Sequence, residues 1–268
     1  MGAVLLIFCA ALIFIRAELV LRGVAAFRPD SVMHWISGFQ PVISRKLFFL
    51  MHLFAGLRTD FEKYNGALPR VFLIVSNHQT LADIPAMAAT FPRNGLRYVA
   101  KKSLSRGIPY ASTSLRWGQH ALISRTGDYR AGNKELRRFA RLTEQGICPV
   151  VFPEGTRSRS GRVNEFYTGA VRIILEQTPI PVLSVALDGG YRLSTLRQLL
   201  QNLRGAHYRV KPLTLYPAPK GKREISELLV TIRTEIEEQV REWRETEARV
   251  YRAQGKKKPI QVRVPADG

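Results

Sequence analysis

Apolar positions along this chain change their spacing several times, and each change predicts a different kind of element. Residues 3–15 form an uncharged, mostly apolar run of thirteen; as a helix rising about 1.5 Å per residue it spans roughly 20 Å, short of the ~30 Å hydrocarbon thickness of a bilayer. The helix should continue past Glu18 and Arg22, an i,i+4 pair in the favourable order, and stop at Arg28-Pro29. No basic residue precedes the run and no small-x-small pattern follows it, so a cleaved signal peptide is not expected. A second apolar segment, residues 31–57, holds Trp35, Phe39, Phe48, Phe49 and Phe54 together with Arg45, Lys46 and His52. Basic residues on one side and aromatics on the others describe a helix lying in a membrane interface, with packing of both helices on the protein core as the alternative.

Composition then shifts through GLRTDFEKYNGALPR, with Gly66 and Pro69 as punctuation, and the boundary is placed there. The predicted units are membrane-associating helices over 1–57, a folded domain over 70–250 and a basic tail over 251–268. From residue 70 onward the apolar runs are short and rich in β-branched residues, predicting strands at 72–75, 97–100, 120–123, 150–152, 182–187 and 209–215, with helices between them. That alternation is an α/β pattern. Residues 128–146 open on Asp128 as an N-cap and carry Leu136, Phe139 and Leu142 on one stripe; residues 224–250 space Ile225, Leu228, Leu229, Ile232, Ile236, Val240 and Trp243 as a helix facing the core.

With 268 residues and 46% apolar content, the chain can bury one α/β core and still carry appendages. A net charge of +20 calls for an anionic partner: nucleic acid, an acidic membrane surface or a phosphorylated substrate. Nucleic acid is disfavoured, because no RNA- or DNA-binding motif or zinc-finger spacing is present and the aromatics sit in apolar segments instead of alternating with basic residues. Cys9 and Cys148 provide neither a disulfide framework nor metal-ligand spacing, and His34, His52, His120 and His207 have no motif around them, so no metal is expected.

The candidate chemistry begins where the first strand of the folded domain ends, in VFLIVSNHQTLAD. His78 and Asp83 are five residues apart, about 140° around a helix at ~100° per residue and on opposite faces of a strand. Only a turn brings them together, which predicts His78 in a strand-to-helix loop and Asp83 at the start of the helix, with Pro85 tolerated in its first turn. An imidazole with one nitrogen fixed by a carboxylate has the other free to take a proton from a hydroxyl or thiol. A Gly-x-Ser-x-Gly turn for a serine nucleophile is absent. A second motif, FPEGTRS, follows another apolar strand and offers Glu154, Gly155, Thr156 and Arg157; the guanidinium fork suits a phosphate, and glycine lets backbone come close.

The Asn-His-x4-Asp block followed by Phe-Pro-Glu-Gly-Thr-Arg resembles the 1-acyl-glycerol-3-phosphate (lysophosphatidic acid) acyltransferase family of glycerolipid acyltransferases. AKKSLSRGIPY, then WGQHALISR ending in Arg125, and TPIPVLSVAL agree with further blocks of that family, so the resemblance covers roughly residues 70 to 190. Ser103, Ser124 and Tyr167-Thr168 depart from it, at positions where Glu, Asp and Lys are common. The resemblance implies a mixed β-sheet flanked by helices, with an N-terminal two-helix element attaching the enzyme to the cytoplasmic face of a membrane, the inner membrane if the source is bacterial. It implies acyl transfer from acyl-CoA or acyl carrier protein to a lysophospholipid, with no further cofactor and with anionic membrane lipid as a partner. It assigns His78 and Asp83 to catalysis and Arg157, Glu154, Gly155, Thr156, Arg125, Lys101 and Lys102 to substrate. Other lyso-lipids, such as a lyso-ornithine lipid or lysophosphatidylglycerol, remain rival acceptors, and a non-catalytic lipid-binding protein is the rival class.

Overall fold

A seven-stranded sheet gathers nearly every short apolar run of the sequence. The computed structural model describes residues 2–124, 129–193 and 205–253. The strands are β1 (Arg58–Phe61), β2 (Leu73–Ser76), β3 (Arg97–Lys101), β4 (Ala121–Ile123), β5 (Pro149–Val151), β6 (Val182–Asp188) and β7 (His207–Tyr216). They lie in the order β1-β7-β6-β2-β5-β3-β4. Only β6 and β7 run antiparallel, so the sheet is mixed. Every residue of β2, β5 and β6 is buried, which is why these strands read as continuous apolar runs without alternation.

The helices are α1 (Gly2–Phe27), α2 (Val32–Ala55), α3 (Asp83–Thr90), α4 (Ala111–Trp117), α5 (Tyr129–Ala140), α6 (Gly169–Gln177) and α7 (Gly221–Ala253). On one face of the sheet α5, α6 and α7 bury Leu136, Phe139, Val171, Ile174 and, of the predicted stripe, Ile225, Leu229, Ile232, Ile236 and Val240, with Leu228 and Trp243 half-buried against them. On the other face Met87 and Phe91, in α3 and at its C-terminal cap, join Phe48 and Met51 of α2 against Phe72, Tyr98 and Tyr208.

Two sequence expectations change here. Residues 58–61, read as part of the linker, form the edge strand β1 paired with β7 from Arg58–His207 to Phe61–Val210. Its RTDF sequence carries no apolar run, because an edge strand is covered on few sides and alternates between exposed and half-buried positions. The second change concerns α2, which does more than lie on a surface: Ile36, Ile43, Phe48 and Met51 are buried, while Trp35, Val42, Phe49 and Leu53 remain outside. Arg97, wholly buried, fixes this packing by donating to the Gly118 and Leu96 carbonyls and to Ser37 Oγ of α2 at 2.8 Å. With none of these partners charged, burial lowers its pKa to about 10.

α1 continues past the uncharged run to Phe27 and stops at Arg28-Pro29, as expected. Glu18 is held by Arg22 at 2.7 Å and accepts from the Tyr110 N–H and Thr113 Oγ at 2.9 Å each, so the acidic residue that interrupts the apolar run docks α1 on α4. Residues Val4–Phe27 make a helix of 24 residues, long and apolar enough to cross a bilayer by length and composition alone. The N-cap expected at Asp128 lies outside the described residues.

Candidate active site

β2 ends at Ser76, and the next residue pins the loop that follows it. The Asn77 amide exchanges two hydrogen bonds with the Leu187 backbone of β6, donating to its carbonyl and accepting from its N–H, each at 2.9 Å. Gln79 adds a second anchor, donating to Asp188 Oδ1 at 3.2 Å and accepting from the Tyr191 N–H at 3.1 Å. Between these two anchored amides His78 occupies the strand-to-helix loop and Asp83 opens α3, as the five-residue spacing requires.

The Asp83 carboxylate has no solvent exposure and is surrounded by donors. Its Oδ2 accepts from His78 Nδ1 at 2.6 Å, from the Gln79 N–H at 2.6 Å and from the Thr80 N–H at 3.0 Å. Oδ1 accepts from the Tyr208 hydroxyl on β7. Burial, and then the adjacent Asp83 charge, push the Tyr208 phenol well above its ordinary range, so it remains a neutral donor. A carboxylate only accepts, so Nδ1 of His78 carries the proton and Nε2 is left as the acceptor. The imidazole stacks on the Phe152 ring, centroids 4.3 Å apart and planes 15° from parallel, and keeps 15% of its side-chain surface.

FPEGTRS braces the same loop from the far side. Glu154 Oε1 accepts from the His78 backbone N–H at 2.7 Å, and Oε2 accepts from the Asn164 backbone at 3.1 Å and from the Asn164 side chain. The Ser158 N–H donates to the His78 carbonyl at 2.7 Å. Burial raises the Glu154 pKa, opposed by the hydrogen bonds from His78 and Asn164. Expected to meet substrate, Glu154 is instead buried behind the loop and holds the histidine backbone, because its hydrogen bonds are committed there. Gly155 has φ +64°, and a Cβ there would meet nothing closer than 3.9 Å, so backbone conformation and not close approach explains the glycine.

His78 opens onto a cavity of about 400 Å³. Lys101, Gly155, Thr156 and Arg157 reach this cavity with His78, while Leu81, Ile84, Val99, Leu104, Ile123 and Phe152 give it apolar walls. Lys102 starts a 3₁₀ turn and is absent from the lining, and Arg125 lies outside the described residues. Tyr167, one of the departures from the expected pattern, stands on the cavity wall. Asn77 and Gln79 were legible only as neighbours of His78; Tyr208 and Asn164 carried no local signal at all. Among the described residues no group of three His, Cys, Asp or Glu side chains could hold a metal ion.

A cavity joining an oriented imidazole to cationic groups and an apolar wall can hold an amphipathic, anionic molecule and take a proton from it. Comparison with known proteins agrees with this chemistry. The acyltransferase family model matches residues 62–188, which contain both motifs. Similar relatives include a 1-acyl-sn-glycerol-3-phosphate acyltransferase of Cocos nucifera, 30% identical over 47% of this chain and 41% of its own length. Another of the same name, from Helicobacter pylori, is 30% identical over 47% of this chain and 52% of its own length. The chain therefore spans about half the length of the curated relatives it matches. Its fold is that of the 1-acyl-sn-glycerophosphate (LPA) acyltransferase PlsC of Thermotoga maritima, with a TM-score of 0.69 at 21% identity, covering 91% of this chain and 95% of that one.

Proposed function

We propose that the chain transfers a fatty acyl group from a thioester, acyl-CoA or acyl carrier protein, to the free hydroxyl of 1-acyl-glycerol-3-phosphate, giving phosphatidic acid. The observation that carries this reading is the His78 imidazole, fixed through Nδ1 by a buried carboxylate, opening into a cavity that also presents Arg157 and apolar walls. His78 Nε2 takes the hydroxyl proton as that oxygen attacks the thioester carbonyl; the C–S bond then breaks and the leaving thiolate takes the proton back from the imidazolium. Asp83 holds the ring and stabilises its positive charge. The protein incubated with lysophosphatidic acid and either acyl-CoA or acylated acyl carrier protein should yield phosphatidic acid by mass spectrometry; no product with either donor sinks the reading.

Arg157 is the proposed ligand of the acceptor phosphate. Arg157→Lys keeps the charge and loses the paired fork, so the acceptor KM should rise and kcat/KM should fall by about 1.5–3 kcal/mol for lysophosphatidic acid. A lyso-lipid without phosphate should be affected less. Equal losses on both acceptors, or a defect confined to the donor, would move Arg157 to the thioester side.

Attachment to the cytoplasmic face of a membrane is proposed through α1 and the outer side of α2. Phe8, Leu12 and Leu19 of α1 and Phe49 and Leu53 of α2 are each more than half exposed, a concentration of large apolar groups that a water-facing surface does not favour. Removing residues 1–57 would be a poor test, because Phe48, Met51 and Leu57 belong to the core. Replacing Phe8, Leu12 and Leu19 together by Asp should move the protein from the vesicle pellet to the supernatant. Continued sedimentation at physiological salt would assign attachment to the basic surface.

A further inference from the structure

A second concavity, of about 610 Å³, lies between α7 and the segment that follows FPEGTRS. Five arginines line it, and they are not equally engaged. Arg233 is paired with Glu237 at 3.0 Å, and Arg244 with Asp188 at 2.6 Å and with the Gly161 carbonyl at 2.8 Å. Among the described residues Arg162, Arg241 and Arg252 have no acidic partner, although all three border the same groove. Glu237 and Glu245 also line the groove, the first paired with Arg233 and the second with Arg249 at 3.8 Å, so positive charge still exceeds negative there, and three guanidiniums with no acidic partner among the described residues offer the forked donors that suit phosphate oxygens.

Topology relates this groove to the catalytic cavity. Asp188, the partner of Arg244, is the last residue of β6, and β6 runs parallel to β2, whose last residue lies two positions before His78. Both concavities therefore sit at the same end of the sheet. They also share one loop: Gly155 to Arg157 wall the catalytic cavity and Gly161 to Val163 wall the groove. α7 packs on the sheet face opposite to the one that buries Phe48 and Met51 of α2, so the groove faces away from the proposed membrane helices. That position favours a soluble phosphate-bearing ligand over a lipid headgroup. Its volume falls in the range of small-molecule clefts, roughly 300–1,000 Å³, which is room for a nucleotide and small beside the broad face of a carrier protein.

We propose that this groove binds the phosphates of coenzyme A, its diphosphate and 3′-phosphate, while the attached acyl thioester reaches His78 across the shared loop. The proposal rests on the acyl-transfer reading and selects coenzyme A as the donor carrier.

The test is titration of the full-length protein with free coenzyme A by calorimetry, alongside steady-state kinetics with an acyl-CoA and lysophosphatidic acid. In a variant carrying Arg162→Gln, Arg241→Gln and Arg252→Gln, the Kd for coenzyme A and the KM for acyl-CoA should both rise roughly tenfold or more, with the acceptor KM unchanged. Dephospho-coenzyme A should bind more weakly than coenzyme A to the unsubstituted protein, and that difference should shrink in the variant. A charge-matched control, Lys220→Gln with Lys222→Gln and Arg223→Gln on exposed positions at and just before the far end of the same helix, should leave both constants in place. No binding of coenzyme A by the unsubstituted protein overturns the proposal, as does unchanged affinity in the triple variant. A loss that appears only with anionic vesicles or with acyl carrier protein also overturns it. Because titration needs no turnover, coenzyme A binding through these arginines without transfer would sink the acyl-transfer reading and keep the site. Transfer with unaltered coenzyme A affinity would do the reverse.

Discussion

His78→Ala should lower acyl transfer by roughly 10²- to 10⁴-fold, the range of a positioned general base, while leaving thermal stability nearly unchanged. The two halves of this expectation have separate causes. Activity falls because the imidazole is the proposed proton acceptor in the cavity, and among the described residues no carboxylate and no second imidazole lines that cavity to replace it. Stability holds because the contacts that fix the loop are made by the His78 backbone: its N–H donates to Glu154 and its carbonyl accepts from Ser158. Alanine keeps both. What is lost is the stacking on Phe152 and one of the four donors to Asp83, of which the backbone pair at Gln79 and Thr80 and the Tyr208 hydroxyl remain. Single-turnover kinetics with a saturating donor would measure the first effect and a melting curve the second. Turnover near that of the unsubstituted protein would remove His78 as the base.

The site was legible in part, and the division follows sequence distance. The His78 and Asp83 pair could be placed because their spacing excludes a shared helix or strand face, so a turn was the one local geometry left. The central strands were legible because double burial writes itself as a nearly continuous apolar run, as in LIVS of β2 and VLSVALD of β6, where Ser184 is the one interior polar residue. β1 was missed for the opposite reason: at the sheet edge RTDF needs few apolar residues. Tyr208 donates to Asp83 from 125 positions further along the chain and looks in sequence like any aromatic of an alternating strand. Glu154 is instructive in another way. Its motif announced a carboxylate near substrate, but a carboxylate's partner is not written in its motif, and here the partner is the backbone of His78. A residue of the substrate motif thereby becomes a brace for the other motif.

Asp83→Asn should damage both activity and stability, and comparison with Tyr208→Phe should show why. Four donors converge on the buried carboxylate, three of them at Oδ2. An asparagine has one acceptor oxygen and one donating amide. If its oxygen keeps the Oδ2 position, the amide faces the Tyr208 hydroxyl, which must then turn its proton away in a site with no solvent access. If the amide takes the Oδ2 position, it opposes two backbone N–H groups that cannot move. The first arrangement is therefore favoured, at a cost of about 1–3 kcal/mol for polar groups left imperfectly paired. The ring stays oriented, but the negative charge facing the imidazolium is gone, so transfer should fall by roughly 10²-fold or more with a smaller change in acceptor KM. Tyr208→Phe leaves the charge and the three bonds at Oδ2 intact and removes the donor at Oδ1, so it should cost about 1–2 kcal/mol of stability and much less activity. Chemical denaturation and kcat measured on the same three proteins would separate the effects. If Tyr208→Phe lowered kcat as far as Asp83→Asn did, geometry alone would account for the role of Asp83, and the argument from its charge would be lost.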